Sequence, residues 1–224
     1  MSERYSLSSR VDASRRKVYD KSCDTELRQL AKGSGWTKYQ SSLVRRYKEW
    51  FVAANLSLWW PTRRVSFDVS VKPMALDSQL WRIMKIEGFE KFALSHRESG
   101  AFVCRVPTLA TCSIPLQNPQ ADVRNFIEFA DEQYPHVISL LEDTSFTDLV
   151  GYINSSLEFG KYTTSYLIAL LNDGRYREVL QYEVGQDQTG VTFHNVVLEE
   201  DEHRDESVID LIKAEAFRLS KTRH

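Results

Sequence analysis

The chain has 224 residues, 27% charged and 42% hydrophobic, with a formal net charge of −2; such a composition speaks against wholesale disorder and against a membrane-embedded chain. The near-neutral total hides a split, because residues 1–72 carry 15 Lys+Arg against 7 Asp+Glu whereas residues 120–224 carry 9 against 20. Clustered charge of one sign steers partners of the other, so the two regions are expected to approach different surfaces. No apolar run reaches the length of a bilayer span, the first residues are polar, and Cys23, Cys104 and Cys112 are odd in number and widely spaced. A reduced, cytoplasmic protein without disulfides is the expectation.

From Asp12 to Lys32, Val18, Cys23, Leu27 and Leu30 recur at roughly helical spacing, and Gly33-Ser34-Gly35 ends the run. This predicts an amphipathic helix with a basic outer face. Between Leu43 and Lys72 the period changes to two. Trp50, Val52, Ala54, Leu56, Leu58 and Trp60 fall on one side of a strand, and Val65, Phe67, Val69 and Val71 on one side of the next. Pro61-Thr62-Arg63-Arg64 joins them, and Ser66, Asp68, Ser70 and Lys72 form the expected wet face of an antiparallel hairpin. Pro73 ends the second strand, and Asp77 is placed to cap a short helix bearing Leu76, Leu80, Trp81 and Ile83 or Met84. After a turn at Ser95 to Gly100, the apolar runs Ala101–Val106 and Leu109–Ile114 read as a second hairpin or one bent strand, giving a sheet of about four strands.

Beyond Pro115 the pattern is helical. Asn118-Pro119 opens a helix through Val123, Phe126, Ile127 and Ala130 that Pro135 should interrupt, and Ser145-Phe-Thr-Asp148 has capping-box spacing ahead of a helix closed by Gly160. Residues from Tyr162 through Asn172-Asp173-Gly174-Arg175 to Val184 describe an αα-hairpin. Val191–Leu198 reads as a short extended piece, and Glu206–Ser220 as a last amphipathic helix. The expected class is α+β: an N-terminal helix and antiparallel sheet over residues 1–116, with an acidic helical region over 117–224 packed against them as one compact unit.

Motifs for nucleotide, hydrolase or metalloprotease chemistry do not occur. Cys104 or Cys112 with His96, His136 or His194 could form a thiol enzyme, but Cys104 among Phe102, Val103 and Val106 reads as a small buried hydrophobe. His194 and His203 flank Glu199-Glu-Asp-Glu202 without the spacing of a metal cage, so neither metal nor cofactor is expected. The basic aromatic stretch Trp36, Tyr39, Arg45, Arg46, Tyr47, Lys48 and Trp50, continued by Trp59, Trp60, Arg63 and Arg64, has the ingredients of single-stranded nucleic-acid binding. Its alternation, however, places Trp50 and Trp60 in the core, leaving Arg63 and Arg64 as the cations at a hairpin tip. The acidic residues Glu199, Glu200, Asp201, Glu202, Asp205 and Glu206 form the second candidate, a patch for a basic protein surface.

The order of a basic helix, Gly35-Trp36 and an aromatic hairpin, then Val71-Lys72-Pro73 with Leu76-Asp77-x-x-Leu80-Trp81, resembles small bacterial α+β proteins of families similar to the immunity proteins of polymorphic toxins. Leu170-Leu171-Asn172-Asp173-Gly174-Arg175-Tyr176 looks like their C-terminal helix pair. What the resemblance implies is a role, not a site: a non-enzymatic antidote that binds and neutralises a cognate toxin domain. A nucleic-acid-binding module is the alternative, and an unrecognised Cys/His enzyme a third.

Overall fold

The computed structural model describes residues 2–157, 160–183 and 207–222. It divides into two compact units, one of residues 1–71 with 108–140 and the other of residues 72–107 with 141–224. The class is α+β, with an N-terminal helix, an antiparallel sheet and a largely helical remainder.

In the first unit, α1 runs from Ser2 to Leu30, ten residues earlier than the apolar pattern suggests. Cys23 and Leu27 are buried on it and Ala31 is buried just past its end, and Gly33, with φ 84°, allows the chain to leave the helix. The sheet has five strands rather than four, in the order β1 (Thr37–Tyr39), β2 (Ser42–Tyr47), β3 (Trp50–Trp59), β4 (Arg64–Pro73) and β5 (Thr108–Pro115). Two of the turns between strands hide the extra strands. Gln40 (φ 50°) and Lys48 (φ 51°) occupy left-handed positions without being glycine, so the sequence carries no ordinary turn signal there.

On β4 the period of two holds for Val65, Phe67, Val69 and Val71, each at most 2% exposed, and α4 (Pro119–Asp143) packs against Phe67. Phe126 and Phe129 lie 5.5 and 5.8 Å from the Phe67 ring. Burying each such ring contributes about 1.5–3 kcal/mol. The first half of β3 is buried on both faces, Phe51, Val52, Ala53 and Ala54 alike, so the one-sided reading of that strand is too simple. Pro135 does not interrupt α4. It is exposed, and the helix continues past it to Asp143 without the bond its missing N–H would have given to the Asp131 carbonyl. Asn118 caps the start, its Oδ1 accepting the Ala121 N–H at 2.9 Å.

In the second unit, α2 (Met74–Ile83) follows β4 directly and α3 (His96–Ser99) is a single turn. The apolar run Ala101–Val106 is not a strand. Its backbone groups go to side chains, the Phe102 carbonyl accepting from Trp81 Nε1 at 2.6 Å and the Cys104 N–H donating to Asp77 at 2.7 Å. Helix α5 (Phe146–Tyr152) has Ser145 as its N-cap, accepting the Asp148 N–H at 3.1 Å, and a π turn at Ile153–Leu157 follows it in place of a helix reaching Gly160. The expected αα-hairpin is α6 (Thr163–Asn172) and α7 (Tyr176–Gln181), and α8 (Val208–Thr222) buries Val208, Ile209, Ile212 and Ala216. The extended piece expected at Val191–Leu198 lies outside the described residues.

Candidate functional site

Of the two patches singled out in sequence, only one is described. Glu199, Glu200, Asp201, Glu202, Asp205 and Glu206 lie outside the described residues, as do His194 and His203. Arg63 and Arg64 sit where expected, at the tip of the β3–β4 hairpin. A short 3-10 turn, Trp60–Thr62, is closed by Arg63 in the left-handed conformation (φ 51°), whose N–H donates to the Trp60 carbonyl at 3.2 Å. Its guanidinium stacks 4.1 Å above the Trp60 ring and reaches Asp12 Oδ1 at 3.5 Å, with 52% of the side chain exposed. Arg64 donates Nε to Ser113 Oγ at 2.9 Å and bonds the Ser113 carbonyl. Both cations are therefore accessible but engaged, and an incoming anion would compete with internal partners. Beside them Trp59 is 59% exposed.

Next to this tip lies an open, mainly apolar groove of about 630 Å³, lined by Arg15, Val18 and Tyr19 of α1, Trp60 of the turn and Pro119 of α4. Tyr19 also lines a second hollow of about 360 Å³ with Cys23, Leu27, Leu58 and Val123. The Tyr19 hydroxyl donates to Asp122 Oδ2, which also accepts the Gln117 N–H at 3.1 Å. Asp122 is fully buried, and its Oδ1 has no partner among the described residues. Burial, then the bond to Asp122, pushes the Tyr19 hydroxyl far above the ordinary phenol value; burial likewise pushes the Cys23 thiol up to about 11. Neither group is poised for proton transfer near neutral pH. Tyr19 and Asp122 are 103 residues apart, and no local signal in the sequence announces the pair.

The basic aromatic stretch is mixed: Tyr39, Arg45, Tyr47, Trp50 and Trp60 are half-buried, so Trp50 and Trp60 are not the core residues their alternation predicts, and Arg46 and Lys48 are exposed. Trp36 is 5% exposed and donates Nε1 to Asp131 at 2.7 Å. Arg45 stacks 4.4 Å from the Trp36 ring and 3.1 Å from that of Tyr134, so these rings hold one of the chain's own cations.

The second unit holds the tightest polar cluster. Lys72, expected on the wet face of β4, is 2% exposed; Asp77, expected as a helix cap, is fully buried inside α2, whose N-cap is Pro73. Lys72 Nζ donates to Asp77 at 3.0 Å and to the carbonyls of Arg97 and Cys104 at 2.8 Å each. Arg97 donates to Asp77 Oδ2 at 3.2 Å and to the Met74 carbonyl at 2.8 Å. Asp77 thus fastens β4, α2, α3 and the 101–106 segment together, and a buried carboxylate requires such company. Cys104, fully enclosed beside it, has its thiol pushed up to about 12, by burial first and by Asp77 second, which is the opposite of an activated nucleophile. His96 sits among Phe89 (4.9 Å), Phe92 (4.8 Å) and Trp81 (6.0 Å), and burial holds it below its ordinary value. His136 is exposed, and Cys112 is partly exposed on β5.

Among the described residues no trio of His, Cys, Asp or Glu is placed to hold a metal, and no helix is long and apolar enough to cross a membrane. The chain matches no protein-family model, no curated protein and no solved structure.

Proposed function

We propose that this chain is a non-enzymatic binding protein, an immunity protein that binds and neutralises a cognate bacterial toxin domain. Segregated charge in the sequence carries the reading: residues 1–72 have 15 Lys+Arg against 7 Asp+Glu, and residues 120–224 have 9 against 20. Six of those acids fall between Glu199 and Glu206, suited to a basic partner such as a nuclease domain, whose association they would accelerate. The protonated, enclosed thiol of Cys104 supports a binding role over a thiol enzyme. The test is functional. The genes flanking this chain's gene are searched for a toxin domain, which is then assayed with increasing amounts of the chain, and activity is expected to fall stoichiometrically. Full activity at a large excess would remove the proposal.

A second reading rests on Trp59, exposed beside Arg63 and Arg64: a ring for base stacking with two cations for phosphates. It predicts that labelled single-stranded RNA or DNA binds at low salt and is released steeply as salt rises. No binding at low salt would eliminate it.

A further inference from the structure

The two edges of the sheet differ in a way that bears on association. At one edge β1 is only three residues long and carries Lys38, which pairs with Asp24; shortness and a lysine are the usual protections of a sheet edge. At the other edge β5 has eight residues and neither protection. Residues 106–121 contain no Asp, Glu, Lys, Arg or His at all. Beyond its pairing with β4, the backbone of β5 takes one described hydrogen bond, from the Arg64 side chain to the Ser113 carbonyl. Thr108, Thr111 and Ser113 are exposed along it.

We propose that a second copy of this chain pairs antiparallel with β5 about a two-fold axis at Thr111, joining two five-stranded sheets into one of ten strands. Pro107 and Pro115 lack the N–H a ladder needs, and the seven residues between them are centred on Thr111. Self-pairing there sets Thr108 opposite Ile114 and Thr111 opposite itself, and Thr–Thr is a favourable cross-strand pair. The absence of charge is what a two-fold demands, since any charged side chain on the axis would face its own copy. A polar row already crosses the sheet: Ser42 bonds Asn55, Asn55 Nδ2 donates to Asp68 at 3.1 Å, and Asp68 is registered opposite Thr111. Pairing at Thr111 continues this row into the second copy. Because the β1 edge is protected, association closes at two copies instead of growing into a fibre. The pairing stands independently of the toxin reading.

Sedimentation of the full chain from about 1 to about 500 μM covers the affinity range of a small interface. The mass is expected to move from 26.0 kDa towards twice that value. Thr111→Lys should raise the dissociation constant at least tenfold, by roughly the effect of opposing two ammonium groups. Asp68 gives the new cation an acidic neighbour within its own sheet, so the monomer keeps its fold, and circular dichroism verifies this. Tyr39→Lys, on the opposite edge, should change nothing. Without any substitution, amide exchange of residues 108–114 should slow as concentration rises. A constant mass of 26.0 kDa across the range, or a dimer in which Thr111→Lys and amide exchange at 108–114 show no effect, would overturn the proposal.

Discussion

Asp77 illustrates how far one side chain can depart from its local pattern. Near the start of a helix, an aspartate reads as a cap, yet this one accepts Lys72, Arg97 and the Cys104 N–H in a site with no solvent exposure. The sequence could not disclose this, because two of the three partners lie 20 and 27 residues further along the chain. Asp77→Ala removes the carboxylate that two buried cations share, and should cost about 3–5 kcal/mol, read as a fall in the urea midpoint. Asp77→Asn should cost less, because the amide oxygen can still take the Cys104 N–H. His96 adds a pH dependence with a definite sign. Its folded pKa lies below the unfolded value of 6.5, so on acidification the unfolded chain takes up a proton that the folded chain refuses. Stability is therefore full above the unfolded value and declines as pH falls below it. His96→Phe keeps a ring among Phe89, Phe92 and Trp81 and should flatten that decline in urea titrations at several pH values.

Elements were legible where period and punctuation agreed. Strand β4 alternates from Arg64 to Val71 and fails only at the buried Lys72, α8 falls where its apolar spacing puts it, and Ser145 caps α5 as its spacing to Asp148 predicts. Ser145→Ala should therefore cost about 1 kcal/mol in thermal or urea unfolding. The failures share a physical cause: backbone requirements were met by residues that do not advertise them. Gln40 and Lys48 make left-handed turns without glycine, which concealed the division of β1, β2 and β3. Phe102, at φ 57°, and Cys104 spend their backbone groups on Trp81 and Asp77, which turned an apparent strand into a loop. At the candidate site the hairpin tip with Arg63 and Arg64 was legible from Pro61, whereas Asp12, Ser113 and the Tyr19–Asp122 pair were not, since tertiary folding alone brings them there.

At the scale of the molecule, charge remains the strongest functional signal, and the fold redistributes it. The helix α4 residues 119–140 belong with the basic N-terminal region, so four acids of the C-terminal half join the first unit and reduce its excess to four positive charges. The described residues of the second unit carry 12 Lys+Arg against 12 Asp+Glu, and the acidic excess of the sequence falls at residues 184–206, which carry 7 Asp+Glu against 1 Lys+Arg and lie outside the described residues. The acidic segment is thus the concentrated feature, and the toxin reading depends on it. The most direct measurement is the association rate, by stopped flow at low and at physiological salt, of this chain with the toxin domain that the proposal requires. The variant carries Glu199→Lys, Glu200→Lys, Asp201→Lys and Glu202→Lys together. The account predicts a fall of about tenfold or more at low salt that narrows as screening sets in above about 0.15 M. An unchanged rate with an unchanged salt dependence would contradict it.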